Sequence, residues 1–290
     1  MPDRRLLRIP VAVGGETVPV AVHLWGDDDP GREAVVCVHG LSRNARDFDA
    51  LAAALAPTHR VACIDMPGRG DSGWLHDPAG YGWDTYLAVA ATVIDRLELG
   101  AVHWVGTSMG GRIGMQLASS QPRRVRSLVL NDVGAELDGR DLGQLREGAS
   151  ADPVFSSDGQ ALAWCRTRYA AFGIRGEERW QHLVRTSFEA DEDGRLRLRF
   201  DRRAVAGQSP PAVVSLWDQY LAVRCPVLVL RGEQSRLLSA ETCMRMAITG
   251  PRARWIEVPR AGHAPDLEGE DRIRPVTDFI ARASMPQETP

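Results

Sequence analysis

The sequence contains no lysine, and all 35 of its basic residues are arginine. Schiff-base catalysis by a lysine amine and phosphate binding by a Walker-type lysine are therefore excluded. The 38 acidic residues leave a formal net charge of -3, which gives no overall attraction to nucleic acid or to an anionic membrane surface. We expect neither as a partner and look for recognition at local sites.

Cysteine is scarce, and long apolar runs are missing. The five cysteines show no Cys-x-x-Cys spacing, so we expect reduced packing residues rather than a disulfide framework. The longest apolar runs, such as Val35 to Val38, are far too short to cross a bilayer, and the N-terminus lacks the apolar segment of a signal peptide. These absences predict a soluble, cytoplasmic protein, and they leave its oligomeric state open.

Short apolar runs predict an α/β fold with a mostly parallel sheet. The stretches Leu6 to Val13 and Val18 to Trp25 alternate around Gly14-Gly15, which predicts an antiparallel hairpin at a sheet edge. Continuous apolar runs then alternate with helix-length segments, a pattern typical of βαβ units. The runs are Ala34 to Val38, Arg60 to Ile64, Ala101 to Val105, Val125 to Leu130, Pro226 to Leu230 and Arg254 to Val258. The helices include Phe48 to Ala56, Tyr86 to Leu99 and Ile273 to Ile280.

The alternation stops after Leu130 and resumes about ninety residues later, which predicts an inserted, mainly helical cap. We place the core domain at residues 1–133 and 224–290 and the cap at 134–223. Helical patches are expected near Gln160 to Phe172 and Glu177 to Phe188. Three cap tryptophans (Trp164, Trp180 and Trp217) can line an apolar pocket or pack within the cap. Residues 195–200 alternate arginine with apolar residues, which favours a solvated hairpin over an anion-binding site.

The strongest chemical signal is Gly106-Thr107-Ser108-Met109-Gly110, which follows a predicted strand and opens a predicted helix. A G-x-S-x-G pattern in that context places a serine on a sharp turn, where glycines avoid collisions that side chains would cause. The N-terminal helix dipole and its free N–H groups favour the negative charge that develops in acyl transfer. We therefore predict Ser108 as a nucleophile and the Met109 N–H as one oxyanion donor.

Two further loops follow predicted strands. His39-Gly40-Leu41 comes after Ala34 to Val38, where a second oxyanion donor is expected from the Leu41 N–H, while His39 itself is expected to be structural. A glycine-rich loop, Asp65 to Ser72, follows the next strand and is either a simple turn or part of the site.

These motifs, together with Gly262-His263, resemble those of the α/β-hydrolase superfamily, specifically its capped esterase, lactonase and C–C-bond hydrolase branch. The resemblance covers Ala34 to the C-terminus, and the motifs occur in the family's order and spacing. It implies an α/β-hydrolase fold and chemistry that needs no cofactor. His263 lies in a short loop resembling the family's catalytic histidine loop, so among seven histidines we predict it as the general base.

The third triad member departs from the family pattern. After the strand ending near Arg231, close relatives read Gly-Glu-x-Ser-Asp, but here Arg236 replaces the aspartate. A carboxylate is still needed to orient the histidine, and Asp132 is our first prediction because some family members carry the acid one strand after the nucleophile. Glu233 is the second, and a two-residue or degenerate site stays open. Glu257 and Asp266 flank the histidine loop without a spacing that favours them.

Together these residues predict a serine hydrolase that cleaves a small carboxylic ester or lactone through an acyl-enzyme. No metal is predicted because no histidine or carboxylate pair stands at metal-ligand spacing. A hydrolase of carbon–carbon bonds in ring-cleavage products fits the same motifs. A ligand-binding pseudo-hydrolase is the alternative from another class, and the Arg236 departure is its main support.

Overall fold

The computed structural model describes residues 4–205 and 210–285. The strands are β1 (Arg4–Val13), β2 (Glu16–Trp25), β3 (Ala34–Val38), β4 (Arg60–Ile64), β5 (Val102–Thr107), β6 (Val125–Asn131), β7 (Glu136–Asp138), β8 (Val154–Phe155), β9 (Phe188–Ala190), β10 (Leu196–Leu198), β11 (Val213–Ser215), β12 (Val227–Gly232) and β13 (Arg254–Val258). The α-helices are α1 (Asp49–Leu55), α2 (Trp83–Arg96), α3 (Met109–Ser120), α4 (Gly139–Ala149), α5 (Asp158–Arg168), α6 (Glu177–Ser187), α7 (Trp217–Ala222), α8 (Ala240–Ile248) and α9 (Glu270–Ser284).

The central sheet has eight strands in the order β1-β2-β4-β3-β5-β6-β12-β13. The edge pair β1–β2 is antiparallel and turns at Gly14-Gly15, and β2 runs antiparallel to β4. The remaining neighbours are parallel. The predicted edge hairpin and the mostly parallel sheet are therefore confirmed. In β5 the strand continues past the apolar run because Gly106 and Thr107 still pair with β3 and β6.

Helices cover both faces of the sheet, as strands that are buried on both sides require. On one face Val36 belongs to the same buried cluster as Val93 of α2 and Ile113 of α3. On the other face Cys37 belongs to a cluster with Leu51 of α1 and residues of α9. All five cysteines are free, and four of them are buried. No helix in the described ranges is both long and apolar enough to cross a membrane.

Residues 134–223, called the inserted segment below, connect β6 to β12 and contain α4 to α7. Its helices α5 and α6 enclose a small apolar cluster that includes Cys165, Trp180 and Phe188, and Trp164 packs against that cluster. Of the two roles left open for these tryptophans, packing is the one observed. The assignment of the segment as a separate cap domain stays a prediction; its last helix, α7, packs against α3.

The alternating residues 195–200 form β10 and its flanks, and their arginines are ion-paired. Arg195 and Arg197 lie 3.1 and 2.9 Å from Asp191, and Arg199 pairs with Asp71. Phe200 is buried on the apolar side. Because the arginines already have carboxylate partners, the arrangement agrees with a paired surface hairpin rather than with an anion-binding row.

Candidate active site

Ser108 occupies a strained turn between β5 and α3. Its φ of 50° and ψ of -109° lie in a region that side chains rarely adopt. The turn lies so close to β3 that a Cβ on Gly110 would be 1.9 Å from the Val38 carbonyl oxygen, and one on Gly106 would be 2.3 Å from the Gly110 carbonyl carbon. The two glycines are therefore sterically required, and the turn raises Ser108 above the end of the sheet.

His263 lies in the loop after β13 and contacts Ser108 directly. Its Nε2 is 3.0 Å from Ser108 Oγ, and its Nδ1 is 2.8 Å from Asp132 Oδ2. An ionised carboxylate only accepts hydrogen bonds, so Nδ1–H donates to Asp132 and Nε2 is left to accept from the serine hydroxyl. The structure thus brings together the three side chains predicted as nucleophile, base and acid, in the arrangement that proton transfer from serine requires.

Asp132 is fully buried directly after β6, with a φ of 53°. Its Oδ1 accepts the Gly232 N–H across 2.8 Å, and its Oδ2 accepts the Ser235 hydroxyl across 2.6 Å. The buried carboxylate therefore has hydrogen-bond donors on both oxygens, as a charge removed from water requires. Ser235 is a residue that the sequence analysis missed.

The alternative acids are directed elsewhere. Glu233 is exposed, and its Oε2 accepts the backbone N–H of Arg260 across 2.7 Å. Arg236, which stands where relatives carry the acid, has a side chain that is 77% exposed and lies 3.3 Å from Asp141. Among the described residues, Asp132 is the carboxylate that contacts His263.

The two predicted oxyanion donors flank Ser108. Met109 is the first residue of α3, and Leu41 follows β3 and lines the same cleft as Ser108. Within the described ranges the Leu41 N–H donates to no protein acceptor. The fully buried Arg69 fixes this loop by donating from Nε to the Leu41 carbonyl across 3.0 Å. The glycine-rich loop is therefore more than a simple turn, because it supplies this arginine.

His39 has a structural role, as expected. Its Nδ1–H donates to the Gly40 carbonyl across 2.7 Å, and its Nε2 accepts the Met66 N–H across 3.0 Å. Burial lowers the pKa of this imidazole to about 4, although the nearby Asp65 carboxylate opposes the shift. The neutral ring thus ties the Leu41 loop to the glycine-rich loop.

A cleft opens over Ser108 and His263 and contains about 1150 Å³ of space, part of it open to solvent. The inserted segment supplies most of its apolar wall, namely Leu142, Leu145, Tyr169, Phe172, Ile174 and Leu183. Burial raises the pKa of Glu268, which also lines the cleft, although His182 and Arg179 oppose the shift. The cleft therefore suits a substrate with a substantial apolar part.

Two groups of metal-ligating side chains occur within the described ranges: Glu33 with His59 and His103, and His23 with Asp65 and Asp71. In each group one carboxylate also contacts an arginine. Arg126 lies 3.3 Å from Glu33, and Arg199 pairs with Asp71. A guanidinium therefore pairs with a carboxylate of each group.

Comparison with known proteins agrees with the observed fold. The model of the alpha/beta hydrolase family matches residues 35–276. A 3-hydroxybutyrate-oligomer hydrolase from Cupriavidus necator is 36% identical over 274 residues, which cover 91% of this chain and 93% of that protein. A 2-hydroxy-6-oxononadienedioate/2-hydroxy-6-oxononatrienedioate hydrolase from Burkholderia vietnamiensis is 27% identical and covers 89% and 90% of the two chains. An alpha/beta hydrolase structure from Novosphingobium aromaticivorans superposes with a TM-score of 0.87 at 29% identity, covering 97% and 99%. The chain belongs to the alpha/beta hydrolase family.

Proposed function

We propose that this protein is a serine hydrolase of carboxylic esters that acts through an acyl-enzyme on Ser108. The observation that carries the proposal is the continuous hydrogen-bonded line from Ser108 Oγ through His263 to the buried Asp132. A serine hydroxyl is a weak nucleophile unless a positioned base removes its proton, and here Nε2 is at hydrogen-bond distance from that proton.

In the proposed reaction, Ser108 Oγ attacks the ester carbonyl while His263 Nε2 takes the hydroxyl proton. The Leu41 and Met109 N–H groups stabilise the oxyanion, and each such donor is worth about 10²- to 10³-fold in kcat. His263 then gives its proton to the departing alcohol, and Asp132 stabilises the imidazolium formed in between. Water, deprotonated by His263, attacks the acyl-enzyme and releases the acid.

We further propose that the inserted segment acts as a cap that selects the substrate, because it supplies most of the apolar wall around the cleft. The relative from Cupriavidus necator hydrolyses oligomers of 3-hydroxybutyrate, which are short aliphatic esters. The leucines of this wall suit methyl-bearing chains of that kind. We therefore propose short aliphatic oligoesters as the substrate class and the 3-hydroxybutyrate dimer and trimer as the first compounds to assay.

The test compares the wild type with Ser108→Ala and with Ser120→Ala, which removes an exposed hydroxyl from the end of α3 as a matched control. We expect p-nitrophenyl butyrate and 3-hydroxybutyrate dimer turnover to fall by about 10⁴-fold or more in Ser108→Ala only. A fluorophosphonate is expected to label the wild type stoichiometrically. A wild type that binds esters without turnover or labelling would overturn the proposal and favour a binding protein.

Carbon–carbon bond hydrolysis is a second candidate, because the Burkholderia vietnamiensis relative is named as a hydrolase of 2-hydroxy-6-oxononadienedioate. The same serine, histidine and cleft serve both reactions. Parallel kinetics with a dienol dioate and with p-nitrophenyl butyrate separate the two. If kcat/KM is higher for the dienol than for p-nitrophenyl butyrate, carbon–carbon bond hydrolysis replaces ester hydrolysis as the proposed function.

A further inference from the structure

Three arginines line the cleft, and within the described part of the chain two of them are paired with carboxylates. Arg43 lies 3.0 and 2.5 Å from the two oxygens of Asp47, and Arg179 lies 3.1 Å from Glu268. For Arg168 no described carboxylate lies within ion-pair distance. The third carboxylate of the cleft, Asp266, pairs with Arg272. The cleft carboxylates therefore already have arginine partners, and Arg168 has no carboxylate partner among the described residues.

Arg168 is the last residue of α5 and is half-buried. Its Nη2 lies 3.4 Å from the Leu145 carbonyl oxygen, at the long limit of hydrogen bonding, and its Cζ lies 5.7 Å from the Tyr169 ring centre. The guanidinium packs over Gly148 of α4, where an added Cβ would lie 3.1 Å from Cζ. Contacts on α4 and Tyr169 thus hold the group at the cleft wall while leaving most of its five N–H donors without a protein acceptor.

Arg168 is not needed to stabilise the C-terminal end of α5. Basic side chains near a helix C-terminus interact favourably with the helix dipole, and Arg166 already lies in the same turn. Arg166 pairs with Glu177 on the surface, whereas Arg168 lines the cleft. A guanidinium presents its donors in a planar fork that matches a carboxylate bidentately, and the pairing is strongest where water is partly excluded.

We propose that Arg168 binds a free carboxylate of the substrate on the alcohol side of the ester that is cleaved. This inference rests on the proposed esterase function. In a linear oligomer of a hydroxy acid, every ester bond has the free carboxylate on its alcohol side, because the chain ends there. The Leu142 and Leu145 side chains line the same cleft and accommodate the intervening alkyl groups. The substrate class is therefore an oligoester acid rather than a neutral ester.

The experiment compares the 3-hydroxybutyrate dimer and trimer as free acids with their methyl esters, in which the charge is removed and the scissile bond is kept. The enzymes are the wild type, Arg168→Gln, Arg168→Lys and the matched control Arg166→Gln. Product formation is followed by chromatography, and p-nitrophenyl butyrate serves as a neutral substrate that reports an intact catalytic site.

For the wild type we expect kcat/KM to favour the free acids over the methyl esters by about 10- to 100-fold, the range for a hydrogen-bonded charge pair. In Arg168→Gln this preference disappears because free-acid turnover falls much more than turnover of the methyl esters, and the variant still hydrolyses p-nitrophenyl butyrate. Arg168→Lys restores part of the preference, since it keeps the charge and loses the fork. Arg166→Gln behaves as the wild type.

The outcomes distinguish this inference from the proposed function. If p-nitrophenyl butyrate is hydrolysed but the wild type shows no preference for the free acids, the Arg168 proposal is overturned and the esterase proposal stands. The same holds if Arg168→Gln keeps the preference. If the wild type hydrolyses none of the esters, the proposed function itself fails.

Discussion

The Ser235 hydroxyl donates to Asp132 Oδ2 across 2.6 Å, and this is the same carboxylate oxygen that faces His263. Ser235 lies in the loop just after β12, one residue before Arg236. In this chain that segment reaches the histidine indirectly, through the serine hydroxyl and the Gly232 N–H that hold Asp132. The ends of β6 and β12 thus form one site: the carboxylate follows β6, and its two hydrogen-bond donors lie at and just after the end of β12.

Ser235→Ala removes a buried donor to this carboxylate and also the acceptor of the Leu238 N–H, which lies 3.2 Å from Oγ. We expect the free energy of unfolding to fall by about 1–3 kcal/mol, the usual effect of losing a hydrogen bond to a charged group. Urea denaturation at pH 7 measures it. The control Ser150→Ala, at an exposed serine directly after α4, is expected within about 0.5 kcal/mol of the wild type. Equal effects in both variants would contradict a role for the Ser235 hydroxyl.

Asp132→Asn preserves the shape of the side chain but removes its charge, and it allows the wrong histidine tautomer. We expect kcat for p-nitrophenyl butyrate to fall by about 10³- to 10⁴-fold. Glu233→Gln is the matched carboxylate-to-amide control and is expected near wild type, because that side chain accepts only a backbone N–H. Circular dichroism confirms that both variants are folded. A large loss in Glu233→Gln alone would transfer the acid role to Glu233.

Gly110→Ala is expected to destabilise the protein by at least about 3 kcal/mol and to abolish ester hydrolysis, because the atoms in the way belong to backbone that cannot move aside. The Cβ would approach the Val38 carbonyl, which is fixed within the sheet. Gly159→Ala in α5 is the control; it adds a methyl group with only Ser157 Oγ nearby, at 3.9 Å. That change is expected to stabilise the helix by roughly 0.5–1 kcal/mol. Both effects are read from urea unfolding midpoints.

Local requirements explain what the sequence predicts well. Apolar runs in the sequence indicate the buried strands. The turn at Ser108 can be predicted because the backbone leaves no room for a Cβ at two positions: Gly110 lies against β3, and Gly106 lies against the start of α3. The sequence favours Asp132 as the acid because of its order in the chain and a family resemblance, and no local pattern around it indicates that role. It lies 131 positions from His263 in the chain, so only the fold can place them together.

Pairing and orientation of polar side chains were beyond prediction. A serine such as Ser235 has many possible partners, and nothing in its neighbours indicates that its hydroxyl points at a carboxylate. Likewise, the pairing of cleft arginines depends on which acids fold against them: Asp47 lies four positions from Arg43, but Glu268 comes from a distant loop to meet Arg179. That Arg168 lacks a carboxylate partner can be recognised only when the partners of the other cleft arginines are known.

Stability should fall as the solution is acidified below neutral pH, and His39 is one cause. Its pKa is about 4 in the folded protein, below the ordinary value of about 6.5 in an unfolded chain. The unfolded state therefore binds more protons between these two values, so the contribution is complete above pH 6.5 and is lost as the pH falls towards 4. A difference of one bound proton changes the free energy of unfolding by about 1.4 kcal/mol per pH unit, which amounts to about 3 kcal/mol between the two pKa values.

Burial also lowers the pKa of His59 and of His103. More than one histidine therefore contributes to the slope of the wild-type free energy of unfolding against pH. The variant His39→Gln isolates the contribution of His39. We expect this variant to be less stable at every pH, because a glutamine amide does not reproduce both hydrogen bonds of the rigid ring. Its free energy of unfolding should nevertheless depend on pH less steeply, by about one proton. Urea unfolding at pH 7.5, 6 and 5 measures the slope, with the exposed His76→Gln as the control that keeps the wild-type value. An unchanged slope in His39→Gln would show that His39 does not carry this part of the acid sensitivity.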